Sequence, residues 1–180
     1  MKIMVLLMTL VLAPLGFALD KEEILEISKK PHDRTGLSKE MKFFPIARGY
    51  TAELTIDHPD GETHKIKDIK VEEKVVDGKY LFSKMTHPDA PGDILMVVEF
   101  DEKVGVYRKS VMVGDEKVAE SIGTVVPDTK SIAWTSTWAE GGMSSLGNEH
   151  HTDGLVRWHE VLIEDGKVVN IQRGVAKKTK

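Results

Sequence analysis

Positively charged side chains lie in two segments of this sequence whose alternate residues would share one face of a β-strand. Arg108 lies in the segment 104–113, and Arg157 and His159 lie two residues apart in the segment 155–163. A cation inside a folded domain needs an opposite charge to offset the cost of its burial. If these faces point inward, we expect them to bind an acidic group, on a ligand or on an internal carboxylate.

The segment 155–163 is also compatible with the opposite orientation. Its other face carries Trp158 and Leu162, which are suited to a buried core. In that orientation the side chains of Arg157 and His159 are exposed to solvent and hold no internal ligand. Alternation alone does not distinguish the two orientations, so both interpretations stay open.

An aromatic face in the segment 131–138 is a second candidate for ligand binding. Trp134, Ser136 and Trp138 alternate with Thr135 and Thr137, which places a hydroxyl between two indole rings. Aromatic walls with a few polar groups are typical of small-molecule pockets. They are also typical of ordinary β-sheet cores, and the sequence leaves both interpretations open.

Side chains that can bind metals cluster in the segment 139–153, which is rich in Gly, Ser, Asn and His and which we interpret as a loop. The cluster comprises Glu149, His150, His151 and Asp153. Zinc binds histidine nitrogens and carboxylate oxygens in a preformed geometry. The cluster is therefore a candidate metal site, with adventitious binding to a histidine-rich loop as the alternative.

The sequence gives little support for catalysis, and we assign no catalytic residue. The chain has no cysteine, which excludes thiol catalysis, cysteine-ligated zinc and iron–sulfur clusters. Glu72 and Glu73 are adjacent in a strand-like segment, so they point to opposite faces and cannot act as an acid–base pair. The sequence contains no glycine-rich phosphate loop and no Gly-x-Ser-x-Gly elbow. We expect a protein without a cofactor that is not an enzyme, and an enzyme using His159 and Arg157 is a further alternative.

The first 18 residues have the layout of a secretory signal peptide. Lys2 provides the positive start, residues 3–12 form an apolar run, and Gly16 and Ala18 have the spacing that cleavage after Ala18 requires. The run is shorter than the ~20 residues that cross a bilayer comfortably, although a retained membrane anchor is the alternative. We expect an exported protein, periplasmic or secreted, that is soluble after cleavage and has no stable membrane insertion.

The remaining sequence predicts a short helical segment followed by one β domain. Asp20 and Glu23 match a capping box, which predicts a helix over 21–29 within an N-terminal region 19–45. From residue 46 to 178 the pattern changes to period two, with hairpin signals such as Asp77-Gly78. Short connections favour an antiparallel meander of about 8–10 strands closed into an up-and-down barrel, and a two-sheet sandwich is the alternative.

Several short stretches resemble the DUF1579 family of exported bacterial proteins of unknown function. The resemblance covers roughly residues 45–178 and is carried by 76–81 (VDGKYL), 100–102, 105–108, 134–136, Trp158 and the closing Lys177-Lys178. Membership would imply a lipocalin-like, calycin-type barrel. It would bring no established activity, catalytic residue or cofactor.

The charge pattern argues against nucleic acid as a partner. The chain has 25 Lys+Arg and 29 Asp+Glu, a net charge of −4, with the two signs interspersed, whereas phosphate binding needs clustered basic residues. Two hypotheses remain for the β domain. One is a binding module for a small amphipathic or acidic ligand held inside the barrel. The other is a structural or interaction protein of the cell envelope whose barrel is filled by its own side chains.

Overall fold

The computed structural model describes residues 19–46, 49–87, 90–139 and 142–179. The predicted signal peptide, residues 1–18, lies outside these ranges. Within the described part of the chain, no helix combines the length and the apolar character needed to cross a membrane.

The helix α1 spans Lys21–Lys29 and begins at the predicted capping box. The side chain of Asp20 accepts a hydrogen bond from the backbone N–H of Glu23 at 2.8 Å, and the Glu23 carboxylate accepts one from the N–H of Asp20 at 2.9 Å. These bonds satisfy two amide groups that a helix N-terminus otherwise leaves unpaired. The buried residues Ile24 and Ile27 attach the helix to the outer face of the β domain.

Ten antiparallel strands form a closed barrel, and each strand pairs with its neighbours in the sequence. Closure is completed by the first and last strands, which pair with each other. The strands are β1 (Gly49–Asp57), β2 (Thr63–Val76), β3 (Tyr80–Thr86), β4 (Ile94–Asp101), β5 (Val106–Val113), β6 (Glu116–Val126), β7 (Ser131–Trp138), β8 (Met143–Thr152), β9 (Leu155–Glu164) and β10 (Lys167–Lys178). The predicted up-and-down barrel with one short N-terminal helix is therefore confirmed, and the sandwich alternative is excluded.

The interpretation of residues 139–153 as a loop was wrong, because β8 occupies most of this segment. Glycine, serine and asparagine have low β-propensity. For this reason the sequence did not predict the strand. In the barrel, β8 pairs with β7 on one side and with β9 on the other. This pairing satisfies the backbone hydrogen bonds of the segment, so the tertiary context overrides its local preference.

One end of the barrel is covered by the connector, which we define as residues 30–45. Two tyrosine side chains of the barrel form hydrogen bonds with residues on either side of its 3₁₀ turn, Met41–Phe43. The hydroxyl of Tyr107 donates to the Glu40 carbonyl at 2.8 Å, and that of Tyr50 donates to the Pro45 carbonyl at 2.6 Å. Burial raises the pKa of Tyr107 to about 12, so this hydroxyl stays protonated as a donor. We call this side of the barrel the connector end.

Candidate functional site

The barrel encloses a cavity of about 260 Å³. Small-molecule pockets commonly range over ~300–1,000 Å³, so the space suits a compact ligand. All ten strands contribute to the wall, and most of the wall is apolar. The apolar lining includes Leu54, Val71, Met85, Met96, Val111 and Val156, together with three tryptophans.

The tryptophan rings are accommodated by glycines on the neighbouring strands. Trp134 on β7 is paired with Gly123 on β6, and Trp158 on β9 is paired with Gly174 on β10. A Cβ atom at position 123 would lie 2.4 Å from Cζ3 of Trp134. The absence of a side chain therefore lets the indole lie against the sheet, which leaves the centre of the barrel open.

The predicted aromatic face of β7 lines this cavity. Trp134, Ser136 and Trp138 all contribute to its wall. The hydroxyl of Ser136 lies 2.8 Å from that of Ser121 on β6, and both residues are buried. The two hydroxyls satisfy each other, so this part of the wall is polar without being charged. A ligand-contact role for these residues stays a prediction.

Arg108 does not face the cavity, contrary to the expectation for its segment. It lies on the outer face of β5, next to Ser110 and Met112, and Met112 packs against α1. Its Nη2 and Nε atoms each lie 2.9 Å from Oδ2 of Asp101. The guanidinium lowers the pKa of this carboxyl through that hydrogen bond. Arg108 thus belongs to an ion pair outside the barrel, and its burial is due to the N-terminal region.

Arg157 and His159 also lie on the outer face, as the second orientation of their segment predicted. Both residues are exposed. The alternate residues Trp158 and Glu160 line the cavity, so the strand directs the other two side chains away from it. His159 is nevertheless among the residues at the cavity, because its strand, β9, forms part of the wall. The structure thus matches the orientation in which Arg157 and His159 are exposed to solvent, and a ligand-binding role for them stays a prediction.

The candidate metal site is divided between the two faces of β8. Adjacent residues of a strand point to opposite sides, so His150 and His151 cannot bind one ion together. Nδ1 of His150 lies 2.9 Å from Oγ of Ser131, whereas His151 is buried inside the barrel. Asp153 lies in the turn after β8. Across the described residues, no group of three or more His, Asp or Glu side chains could hold a metal ion.

Glu149, which is half-buried, and the buried His151 instead form a polar pair inside the connector end. Nε2 of His151 lies 2.8 Å from Oε1 of Glu149. Burial by itself raises the pKa of Glu149, but the close contact with His151, the positive charge of Lys109 and the indole N–H of Trp134 outweigh it, so the pKa is lowered overall. Nζ of Lys109 lies 4.3 Å from the centre of the Trp134 ring. Three neighbouring side chains, His151, Lys109 and Trp134, thus favour the charged form of the carboxylate.

The connector covers this polar pair with two aromatic rings. Phe43 and Phe44 each contact His151 edge to face, with ring centres 5.3 Å apart in both cases. A second pocket of about 70 Å³ lies here, and Phe44 and Pro45 form part of its wall. The connector therefore covers this end of the barrel.

A second polar group lies further from the connector. Oγ of Ser145, which is fully buried, donates to Oε1 of Glu160 and accepts from Nε1 of Trp138 at 3.4 Å. Gln172 lines the same part of the wall. Sequence reasoning missed Lys109 and Glu160 because their strands carry polar residues on both faces. The available signal was the alternation of Glu160 with Trp158, which places both side chains on one face of β9.

No family model matches this sequence, and no curated protein matches it. Among solved structures, the S-type phycobiliprotein lyase CPES of Guillardia theta is similar, with a TM-score of 0.55 and 12% sequence identity. The alignment covers 83% of this chain and 99% of the lyase chain. The shared architecture is a lipocalin-like barrel. At this level of identity the likeness shows the fold alone.

Proposed function

We propose that this chain is a non-enzymatic binding module that holds a small amphipathic ligand inside its barrel. The observation that carries the proposal is the cavity of about 260 Å³, which has an apolar wall and a few polar groups at defined positions. A folded protein packs its interior closely, so an open space of this size is a feature that ligand binding explains. The alternative, a barrel filled by its own side chains, is less consistent with this space.

The structure favours the amphipathic ligand over the acidic one. The side chains expected to bind an acid were Arg108, Arg157 and His159. Arg108 is paired with Asp101, and the other two are exposed on the outer face. The polar groups that do line the cavity include carboxylates, which repel an anion.

Export and family membership are part of the same proposal. The pattern of residues 1–18 supports a signal peptide with cleavage after Ala18. Membership in the DUF1579 family is supported by the short stretches that resemble it and is compatible with the barrel. We transfer no lyase activity from the structural neighbour, because 12% identity carries only the fold.

Native mass spectrometry tests the proposal directly. The full chain is expressed in a bacterial host and recovered from the exported fraction without denaturant. We expect a polypeptide that begins at Leu19 and carries an added mass that is lost on denaturation. An uncleaved chain would contradict export. A mass that equals the polypeptide alone, even after incubation with a library of small amphiphiles, would contradict the binding function.

A further inference from the structure

Acidic side chains outnumber basic ones along the cavity wall. Among the described residues that line it, Glu73, Glu149 and Glu160 carry carboxylates, and Lys109 is the lysine on the inner face. No arginine is among these lining residues. Because a low-polarity interior strengthens electrostatic interactions, this imbalance affects which ligand charge the cavity accepts.

The single lysine is already compensated by its neighbours. Nζ of Lys109 lies over the Trp134 ring, and its charge helps lower the pKa of Glu149. Glu149 also lies 2.8 Å from His151. Lys109, Glu149 and His151 thus form one compensated group near the connector end. A ligand anion would have to compete with Glu149 for the lysine.

Within the part of the chain that the structure describes, Glu160 forms no ion pair with a cationic side chain. Its hydrogen-bond donor is the neutral hydroxyl of Ser145, and that hydroxyl is approached in turn by the neutral indole N–H of Trp138. Neutral donors stabilise a carboxylate but do not balance its charge. A cation on the ligand would balance it.

The aromatic wall favours the same ligand charge. All three tryptophans of the chain, Trp134, Trp138 and Trp158, line the cavity. The face of an indole ring attracts cations. Trp134 is 5% exposed, and its indole N–H is one of the groups that lower the pKa of Glu149.

We propose that the cavity selects amphipathic organic cations, protonated amines with a compact apolar or aromatic body, and that the ammonium group lies beside Glu160. The apolar body contacts the tryptophan faces. This inference rests on the proposed binding function and specifies the class of ligand.

A set of three matched probes tests the ligand charge on the unmodified protein. The probes are 2-phenylethylamine, 2-phenylethanol and 3-phenylpropionate, which share a phenyl ring and differ in charge. Binding to the full chain is followed at neutral pH by tryptophan fluorescence, since every tryptophan lines the cavity. We expect the amine to bind at least about tenfold more tightly than the alcohol, and the carboxylate to bind most weakly.

Two variants locate the charge that is responsible. Glu160→Gln keeps the size of the side chain and removes its charge, and we expect it to lower the affinity for the amine about tenfold while leaving the alcohol unchanged. Glu53→Gln makes the same change at an exposed position of β1 and is expected to alter neither affinity. If Glu160→Gln does not fold, the comparison of the three probes on the unmodified chain still decides the preference.

The outcomes separate the two proposals. Tighter binding of the alcohol or the carboxylate than of the amine overturns the cation preference and leaves the binding function intact. An unchanged amine affinity in folded Glu160→Gln overturns the placement of the ammonium group. Failure of all three probes overturns the cation preference, and the binding function is then decided by the native mass of the exported protein.

Discussion

The indole ring of Trp158 on β9 lies directly over the backbone of Gly174 on β10. A Cβ atom at position 174 would come within 1.9 Å of Cζ2 of Trp158, a distance that no side chain tolerates. The two residues are paired across the strands, as Trp134 on β7 and Gly123 on β6 are. The width of the cavity therefore depends on two glycines that let large rings lie against the wall.

Gly174→Ala is expected to push the Trp158 ring into the cavity. Overpacking of a close-packed interior costs about 1–3 kcal/mol, so we expect the free energy of unfolding to fall by that amount and ligand affinity to fall with it. Chemical denaturation and tryptophan fluorescence measure the two effects. Gly147→Ala is the milder comparison, since Gly147 also lines the cavity but a Cβ there meets its nearest atom, the backbone oxygen of His159, at 3.3 Å. Equal effects of the two substitutions would contradict this role of Gly174.

The polar pair of Glu149 and His151 predicts a specific dependence of stability on pH. The pKa of Glu149 in the folded protein is lower than its ordinary value of 4.5. A carboxyl whose pKa is lowered by folding stabilises the protein above its unfolded pKa, and that contribution is lost as the pH falls through the folded pKa. We therefore expect the difference in unfolding free energy between the unmodified chain and Glu149→Gln to shrink as the pH is lowered from about 4.5.

Equilibrium denaturation in urea between neutral pH and the acid range measures this difference. Glu53→Gln, at an exposed position on the outer face, provides the baseline for removing one carboxylate. A difference between the unmodified chain and Glu149→Gln that stays constant across the acid range would show that the charge of Glu149 contributes nothing to stability.

The features that depend on neighbouring residues could be predicted from the sequence, whereas those that depend on strand pairing could not. The capping box of Asp20 and Glu23 is complete within four residues, and the Asp77-Gly78 hairpin signal is complete within two. The inward position of Glu149, by contrast, depends on the register of β8 with two other strands. Its glycine- and serine-rich sequence gave no local sign of that register.

Arg108 illustrates a different limit of sequence reasoning. Its strand carries apolar residues on both faces, because α1 covers part of the outer surface of the barrel. Met112 on the outer face is fully buried against this helix. Alternation identifies an inner face only where the other face is solvated. The same ambiguity applied to β9, where Trp158 and Arg157 are adjacent.

Phe44 is expected to be essential for closing the connector end. It is 4% exposed and contacts the rings of both Tyr107 and His151. Replacing a buried phenylalanine by alanine typically costs about 3–5 kcal/mol. We expect Phe44→Ala to lower the free energy of unfolding by about 3 kcal/mol, the lower limit of that range. Phe43→Ala is the comparison, because Phe43 is only half-buried and should cost less. Chemical denaturation distinguishes the two, and a larger loss for Phe43→Ala would contradict this assignment.

The exposed pair on β9 provides a test of the orientation of that strand. Because Arg157 and His159 lie on the outer face, the double substitution Arg157→Ala with His159→Ala should change the free energy of unfolding by less than about 0.5 kcal/mol. It should also leave the affinity for the amine probe unchanged, whereas Trp158→Ala on the same strand should weaken it. Fluorescence titration through the remaining tryptophans measures both affinities. Loss of binding in the double variant, with its fold intact by circular dichroism, would place these side chains at the ligand and contradict the orientation of β9.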